Sequence, residues 1–147
     1  MILIASDHAG LELKRHLVDF LGERALEVRD LGAFDGRSVD YPDFAHELAR
    51  RVASGEADRG ILICGTGLGM SMAANRHPGV RAALCHDAYT AGMARRHNDA
   101  NVLCLGARVL GTGVAEQVAA VFLDTPFEGG RHLRRVHKIE PGEGSRP

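Results

Sequence analysis

The sequence lacks the features that mark several large classes of protein. None of its segments reaches the roughly 18 apolar residues of a membrane span, and its start, Met1 to His8, has no basic region of the kind found in signal peptides. Its three cysteines form no CxxC pair, and their odd number argues against a disulfide scaffold. A formal net charge of −1 gives no electrostatic footprint for nucleic acid. We therefore expect a cytoplasmic protein that binds neither membrane nor nucleic acid.

The composition is that of one ordinary globular domain. With 147 residues, of which 45% are apolar and 25% charged, the chain can bury about two-thirds of its unfolded surface. It has no internal repeat, linker or low-complexity stretch. We expect one domain over residues 1–139, which ends in a basic helical segment at 127–139, and a disordered tail at 140–147.

Short apolar runs alternate with segments of helical periodicity along the whole chain. The runs predict strands at Ile2 to Ala5, Ala25 to Val28, Gly60 to Cys64, Val80 to Cys85 and Val102 to Leu105. Helical spacing predicts helices around Leu13 to Leu21, from Pro42 to Val52, from Leu68 to Asn75, from an Asp87 cap to Arg96, and around Val114 to Phe122. Five βα units predict an α/β fold: a single-domain, Rossmann-like, doubly wound five-stranded parallel sheet with helices on both faces. Ligands of such folds bind beyond the carboxyl ends of the strands, near a topological switch point.

The loop after the third strand carries the most chemical information. A cysteine leaves the strand into Cys64-Gly65-Thr66-Gly67-Leu68-Gly69, where a helix then begins. Backbone N–H groups converge at such a helix start and stabilise a thiolate or an anion, and glycines let the backbone approach a ligand closely. A phosphatase loop would need arginine where Met70 stands, and a dinucleotide fingerprint would need glycine or alanine there, so both alternatives fail. A structural cysteine at the end of a strand remains the plain alternative.

The other candidates each have a structural alternative. Cys85 ends a strand without a glycine loop and Cys104 lies inside one, so we expect both to be structural. His97 could lie at a helix C-terminus and interact favourably with the helix dipole, or it could belong to the ligand site. Asp7 could cap a helix or hold sugar hydroxyls. His8 could reach an anionic group. Tyr41, just before a proline, is equally ambiguous.

A basic cluster lies near the C-terminus. Arg131, Arg134 and Arg135 either form a solvated face or bind phosphate, for which the planar guanidinium fork is suited. Arg108 adds another arginine just past the fifth strand. The last long helix runs antiparallel to the strands and delivers the C-terminal arginines to the edge away from the predicted site. If they bind substrate phosphate, the site of a partner subunit is the easier target.

Taken together, these motifs resemble ribose-5-phosphate isomerase type B, in the family that includes galactose-6-phosphate isomerase subunits. The resemblance covers Met1 to Ile139. It is carried by Ser6-Asp7-His8-Ala9-Gly10, Asp40-Tyr41-Pro42, the Cys64 to Gly69 loop, Ala73-Ala74-Asn75, His97-Asn98-Asp99-Ala100-Asn101 and Gly130-Arg131-His132 through Arg135. A subgroup of the family has Ser or Gly in place of the cysteine and Glu where Met70 stands, so this chain is similar to the cysteine-type members.

The resemblance implies a role for each matching residue. Cys64 would be the base that moves a proton between C1 and C2, with Thr66 beside it, and His97 would open the furanose ring. The implied substrate-binding residues are Asp7, His8, Tyr41, Gly65, Gly67, Leu68, Gly69, Asn98, Arg108, Arg131 and Arg135. The implied site is shared across a homodimer, which could pair further into a dimer of dimers.

The expected activity is aldose–ketose isomerisation of ribose 5-phosphate and ribulose 5-phosphate through an enediolate. The alternatives are a hexose phosphate substrate (allose or galactose 6-phosphate), a non-catalytic phosphate-binding module, and a thiol-based transferase or hydrolase. The histidines show no paired metal-ligand spacing, and N–H donors can hold an enediolate without a metal. We therefore expect no metal and no cofactor.

Overall fold

The structure, a computed structural model, describes residues 1–142 and contains one parallel five-stranded sheet. The strands are β1 (Ile2–Ser6), β2 (Val28–Asp30), β3 (Arg59–Cys64), β4 (Ala82–Leu84) and β5 (Val102–Gly106). The helices are α1 (Leu11–Glu23), α2 (Tyr41–Ala53), α3 (Leu68–Ala74), α4 (Ala88–Asn98), α5 (Thr112–Asp124) and α6 (Arg131–Val136). The strand order is β2-β1-β3-β5-β4. The predicted fold class is confirmed.

Helices cover both faces of the sheet because the central strands are apolar on both sides. Along β3, Ile61 and Ile63 pack in the core that α1, α4 and α5 cover, whereas Leu62 and Cys64 pack in the core under α2 and α3. This alternation follows from the two-residue period of a strand. No helix among residues 1–142 has the length and apolar character to span a bilayer.

The topological switch point lies between β1 and β3. These strands are neighbours, and the chain leaves β1 toward β2 on one side before it returns to β3 on the other. Helix α1 begins close to the end of β3: a Cβ at Gly10 would lie only 2.6 Å from the carbonyl oxygen of Ile63. The loops after β1 and β3 therefore border one crevice at the carboxyl edge of the sheet.

Three predicted element boundaries were wrong. The second strand lies at Val28–Asp30, three residues after the predicted start, because Ala25 adopts a positive φ of 58° in the turn that ends α1. The fourth strand is only Ala82–Leu84, since the N–H of Arg81 donates to the side-chain oxygen of Asn101 rather than to the sheet ladder. Helix α4 continues past Arg96 to Asn98. Of the tail expected at 140–147, residues 143–147 lie outside the described part of the chain.

Candidate active site

Cys64 lies at the carboxyl end of β3 with its thiol turned into the following loop. Its Sγ accepts a hydrogen bond from the N–H of Gly67 at 3.1 Å, and only 5% of the residue is exposed. Within residues 1–142, the N–H groups of Gly65, Thr66 and Gly69 have no hydrogen-bond acceptor. The loop therefore uses one donor on the sulfur and leaves others for a ligand beside it.

Close backbone contact fixes this loop against the end of β5. Gly67 has a positive φ of 79°, and a Cβ there would lie 2.9 Å from the carbonyl carbon of Leu105. A Cβ at Gly106 would lie 2.7 Å from the carbonyl oxygen of Thr66. A glycine that ends a strand beside the site, as Gly106 does, is a usable sequence signal of close backbone approach.

Two predicted site residues lie across the crevice, on the loop after β1. Asp7 is 7% exposed, and its Oδ1 accepts from the N–H of Gly10 at 3.0 Å, so one carboxylate oxygen stabilises the turn before α1. The N–H of Val39 donates to Nδ1 of His8 at 3.2 Å. Nδ1 is the acceptor in this bond, so the other ring nitrogen, Nε2, is the one that can donate to a ligand.

Tyr41 and Arg108 border the glycine loop from two sides. A Cβ at Gly69 would lie 2.5 Å from the ring carbons of Tyr41, so that ring lies directly over the glycine. The N–H of Arg108 donates to the carbonyl of Gly65 at 3.0 Å, and its side chain is exposed. The carboxyl edge therefore brings together Asp7, His8, Tyr41, Cys64, Gly65, Thr66, Gly67, Leu68, Gly69 and Arg108.

The two other thiols lie in the core. Burial raises the pKa of Cys85 to about 11. Burial also raises the pKa of Cys104, which is fully enclosed. Both side chains are therefore neutral thiols at physiological pH. Neither cysteine is directly followed by a glycine loop.

His97 lies at the opposite edge of the sheet from Cys64. It occupies the last turn of α4, just before Asn101, whose carbonyl accepts from the N–H of Gly60 at 2.9 Å. Gly60 is the second residue of β3 and Cys64 is its last, so the strand rises about 13 Å between them at roughly 3.3 Å per residue. Within one chain, His97 and Asn98 do not join the cysteine loop.

The arginine segment lies with His97. The N–H of Glu128 donates to the carbonyl of Arg96 at 3.1 Å, which holds the connection before α6 against the end of α4. The ring of His132, on α6, stacks on the ring of His97. Arg131 and Arg135 on the same helix are exposed at this edge. The predicted position of the arginines, on the far side of their own subunit, is the one the structure has.

Three side chains at this edge offer atoms that could bind a metal. The nitrogens of His97 and His132 and a carboxylate oxygen of Glu128 all lie within 4.8 Å of one another. The two rings are nearly parallel, with 12° between their planes. Imidazole lone pairs lie in the ring plane, so two parallel rings direct them side by side rather than toward one ion. The arrangement favours ring stacking over metal binding.

A thiol on a glycine loop at the switch point of a parallel sheet is the arrangement of an α/β protein whose site suits a small anionic ligand. The family model for Ribose/Galactose Isomerase matches residues 2–139. The chain belongs to this family, as its motifs predicted.

Relatives of known name are similar over nearly the full length. Ribose-5-phosphate isomerase B of Escherichia coli K12 is 46% identical over 138 residues, which cover 94% of this chain and 93% of that protein. D-erythrulose-4-phosphate isomerase of Pectobacterium atrosepticum is 44% identical over 140 residues, 94% of this chain and 91% of the relative. The solved structure of Clostridium thermocellum ribose-5-phosphate isomerase B superposes with a TM-score of 0.93 at 55% identity, covering 94% of this chain and 93% of the other.

Proposed function

We propose that this protein is an aldose–ketose isomerase that interconverts ribose 5-phosphate and ribulose 5-phosphate. The observation that carries the proposal is the Cys64 thiol at the switch point, beside backbone N–H groups that donate to no acceptor within residues 1–142. The family supplies the substrate class, and its named relatives act on sugar phosphates of different length. A cytoplasmic location fits this mechanism, since Cys64 must stay reduced to act as a base.

The proposed step is a proton transfer between two neighbouring carbons. Cys64 as thiolate removes the proton from C2 of the open-chain aldose, and that electron pair forms a C1=C2 bond while the C1 oxygen takes the negative charge. The thiol then returns the proton to C1, and the proton of the C2 hydroxyl passes to the C1 oxygen, which leaves a ketone at C2. The N–H groups of Gly65, Thr66 and Gly69 face the charge that develops. One such donor contributes about 3 kcal/mol in other enzymes that stabilise an oxyanion.

The ring-opening and phosphate-binding groups come from a second subunit in this proposal. His97, Asn98, Arg131 and Arg135 lie about 13 Å or more along the strands from Cys64 of the same chain. In a two-fold dimer, the amino edge of one subunit can face the carboxyl edge of the other. Leu68 and Met72 on α3, beside the loop, are 49% and 66% exposed and offer apolar surface for such a contact. The doubly charged phosphate then meets forked donors from the partner in addition to Arg108.

The proton-transfer role is tested with solvent deuterium. Wild-type protein in D₂O is expected to incorporate label at C1 of ribulose 5-phosphate and at C2 of ribose 5-phosphate, as followed by NMR. Cys64→Ala should abolish label incorporation and isomerisation together. Cys85→Ala and Cys104→Ala are the matched controls, and both should keep most of the activity. A phosphate-binding module or a thiol transferase incorporates no label, so an unlabelled substrate with wild-type protein refutes the isomerase.

The role of His97 needs a separate readout. Forward and reverse kcat/KM are tied by the equilibrium constant, so comparing the two directions does not isolate ring opening. Exchange of the C1 proton of ribulose 5-phosphate requires proton transfer but no ring chemistry. His97→Asn should therefore slow net conversion of ribose 5-phosphate strongly and leave C1 exchange nearly unchanged. Equal losses in both measurements would assign His97 to the proton transfer instead.

The sugar preference is tested by measuring kcat/KM on ribose 5-phosphate, allose 6-phosphate and galactose 6-phosphate in parallel. The proposal expects the pentose phosphate to have the highest value. A higher kcat/KM on either hexose phosphate would identify that sugar as the preferred substrate in place of ribose 5-phosphate. The proposed proton-transfer chemistry would be unchanged.

A further inference from the structure

His132 has a contact that the proposed chemistry does not use. Its ring stacks face to face on the ring of His97, with 4.2 Å between centroids and 12° between planes. His132 is buried, at 6% exposed, whereas His97 is partly exposed. One face of the His97 ring is therefore covered by protein while the residue still reaches the surface.

The segments that carry the two rings are tied together. The buried guanidinium of Arg95 donates to Asp99 at 2.8 Å and to the carbonyl of Thr125 at 3.2 Å. These bonds join the end of α4 to the end of α5. The N–H of Glu128 then donates to the carbonyl of Arg96. The segments that carry the two rings are thus tied together by hydrogen bonds close to the stack.

The surroundings of His132 favour its uncharged form. Burial, His97 and Arg131 lower its pKa, in that order, and Arg135 acts in the same direction. Glu128 opposes them, with its Oε2 3.5 Å from Nε2 of His132. Two cationic rings face to face would repel each other. His97 therefore stacks on a neutral flat surface, which holds its orientation without competing for its proton.

We propose that His132 is a positioning residue for ring opening, which fixes the orientation of the His97 imidazole by stacking against it. The inference rests on the proposed role of His97. Because α6 also carries Arg131 and Arg135, a merely structural role of His132 would disturb phosphate binding. That alternative predicts a raised KM, whereas misorientation of His97 predicts a lowered kcat.

The experiment compares His132→Ala, which removes the ring, with His132→Phe, which keeps a flat ring of similar size. Net conversion of ribose 5-phosphate and C1 exchange of ribulose 5-phosphate are measured on both variants and on His97→Asn. For His132→Ala we expect kcat of net conversion to fall about tenfold, the scale of a sub-ångström misplacement, with KM and C1 exchange nearly unchanged. His132→Phe should recover most of the loss, and thermal melting checks that both variants are folded.

A double variant tests whether His132 acts through His97. If it does, His97→Asn/His132→Ala is no slower than His97→Asn alone. Additive losses, a raised KM in His132→Ala, or no recovery in folded His132→Phe would overturn the inference. If His97→Asn itself slows C1 exchange and net conversion equally, the proposed role of His97 fails and the inference falls with it. A normal His132→Ala beside a defective His97→Asn overturns the inference alone.

Discussion

Substitution of Gly67 by alanine tests whether the cysteine loop needs its close approach to β5. Gly67 has a φ of 79°, and the new Cβ would lie 2.9 Å from the carbonyl carbon of Leu105 and 2.5 Å from Cδ1 of Leu84. The Leu84 side chain can rotate away. The backbone of Leu105 lies in a central strand and cannot move without disturbing the sheet.

The expected loss of stability can be estimated from these contacts. Alanine in the left-handed region costs about 1–2 kcal/mol, and the forced displacement against β5 adds about 1–3 kcal/mol. Alanine also lowers the conformational entropy of the unfolded chain, which offsets about 0.4–1 kcal/mol of this loss of stability. We expect Gly67→Ala to lose about 1–5 kcal/mol, with a middle value of about 3 kcal/mol that a domain of ordinary stability survives. Shifting the N–H donor on Cys64 should also lower kcat about 100-fold.

Gly55→Ala is the matched control. Gly55 has a φ of 80°, and no other part of residues 1–142 comes within 4 Å of the Cβ position, so the conformational cost alone applies. Urea denaturation of both variants gives the steric contribution as a difference, and NMR label exchange gives the activity. If Gly67→Ala is no less stable than Gly55→Ala and isomerises at the wild-type rate, close packing of the loop is not what positions its donors.

Two further predictions concern the scaffold. Lys14 is buried and donates to both carboxylate oxygens of Asp30 at 2.6 and 2.8 Å. Lys14→Met should lower the free energy of unfolding by about 3 kcal/mol, the low end for a broken buried ion pair, because Asp30 is partly exposed. An unchanged urea midpoint would show that the pair adds nothing to stability. Burial lowers the pKa of His77 and of His132, so the unfolded chain binds more protons and stability falls as pH drops below about 6.5. The His77→Gln/His132→Phe variant should show a shallower loss of Tm between pH 7 and pH 5, and an equally steep loss contradicts the assignment to these histidines.

The features that the sequence predicted well are local in the chain. The apolar runs of β1, β3 and β5 and the Cys64 loop are each contained in a few consecutive residues, and their periodicity or glycine spacing decides their structure. Because the last long helix runs antiparallel to the strands, its direction alone places Arg131 and Arg135 at the edge of the sheet opposite the Cys64 loop. Strand two was misplaced because the turn at Ala25 depends on a single positive φ that the residue type does not favour.

The features that the sequence did not reveal depend on contacts between distant segments. The insertion of β5 between β3 and β4 follows from packing of whole βα units, not from any one motif. The ring of Tyr41 over Gly69 joins residues 28 positions apart, and the stack of His97 on His132 joins two different helices. In the sequence, His132 stands out only as part of the Gly130-Arg131-His132 motif, because stacking leaves no periodic signal.

The central claim is that Cys64 of one subunit works with His97, Arg131 and Arg135 of its partner. The most direct measurement is the activity of purified heterodimers, obtained by co-expressing differently tagged Cys64→Ala and Arg131→Ala/Arg135→Ala chains. Both homodimers should be inactive. A heterodimer contains one complete composite site and one doubly defective site, so about half of the wild-type kcat per dimer is expected. Inactive heterodimers of confirmed composition, or a protein that is monomeric while fully active, would contradict the shared site.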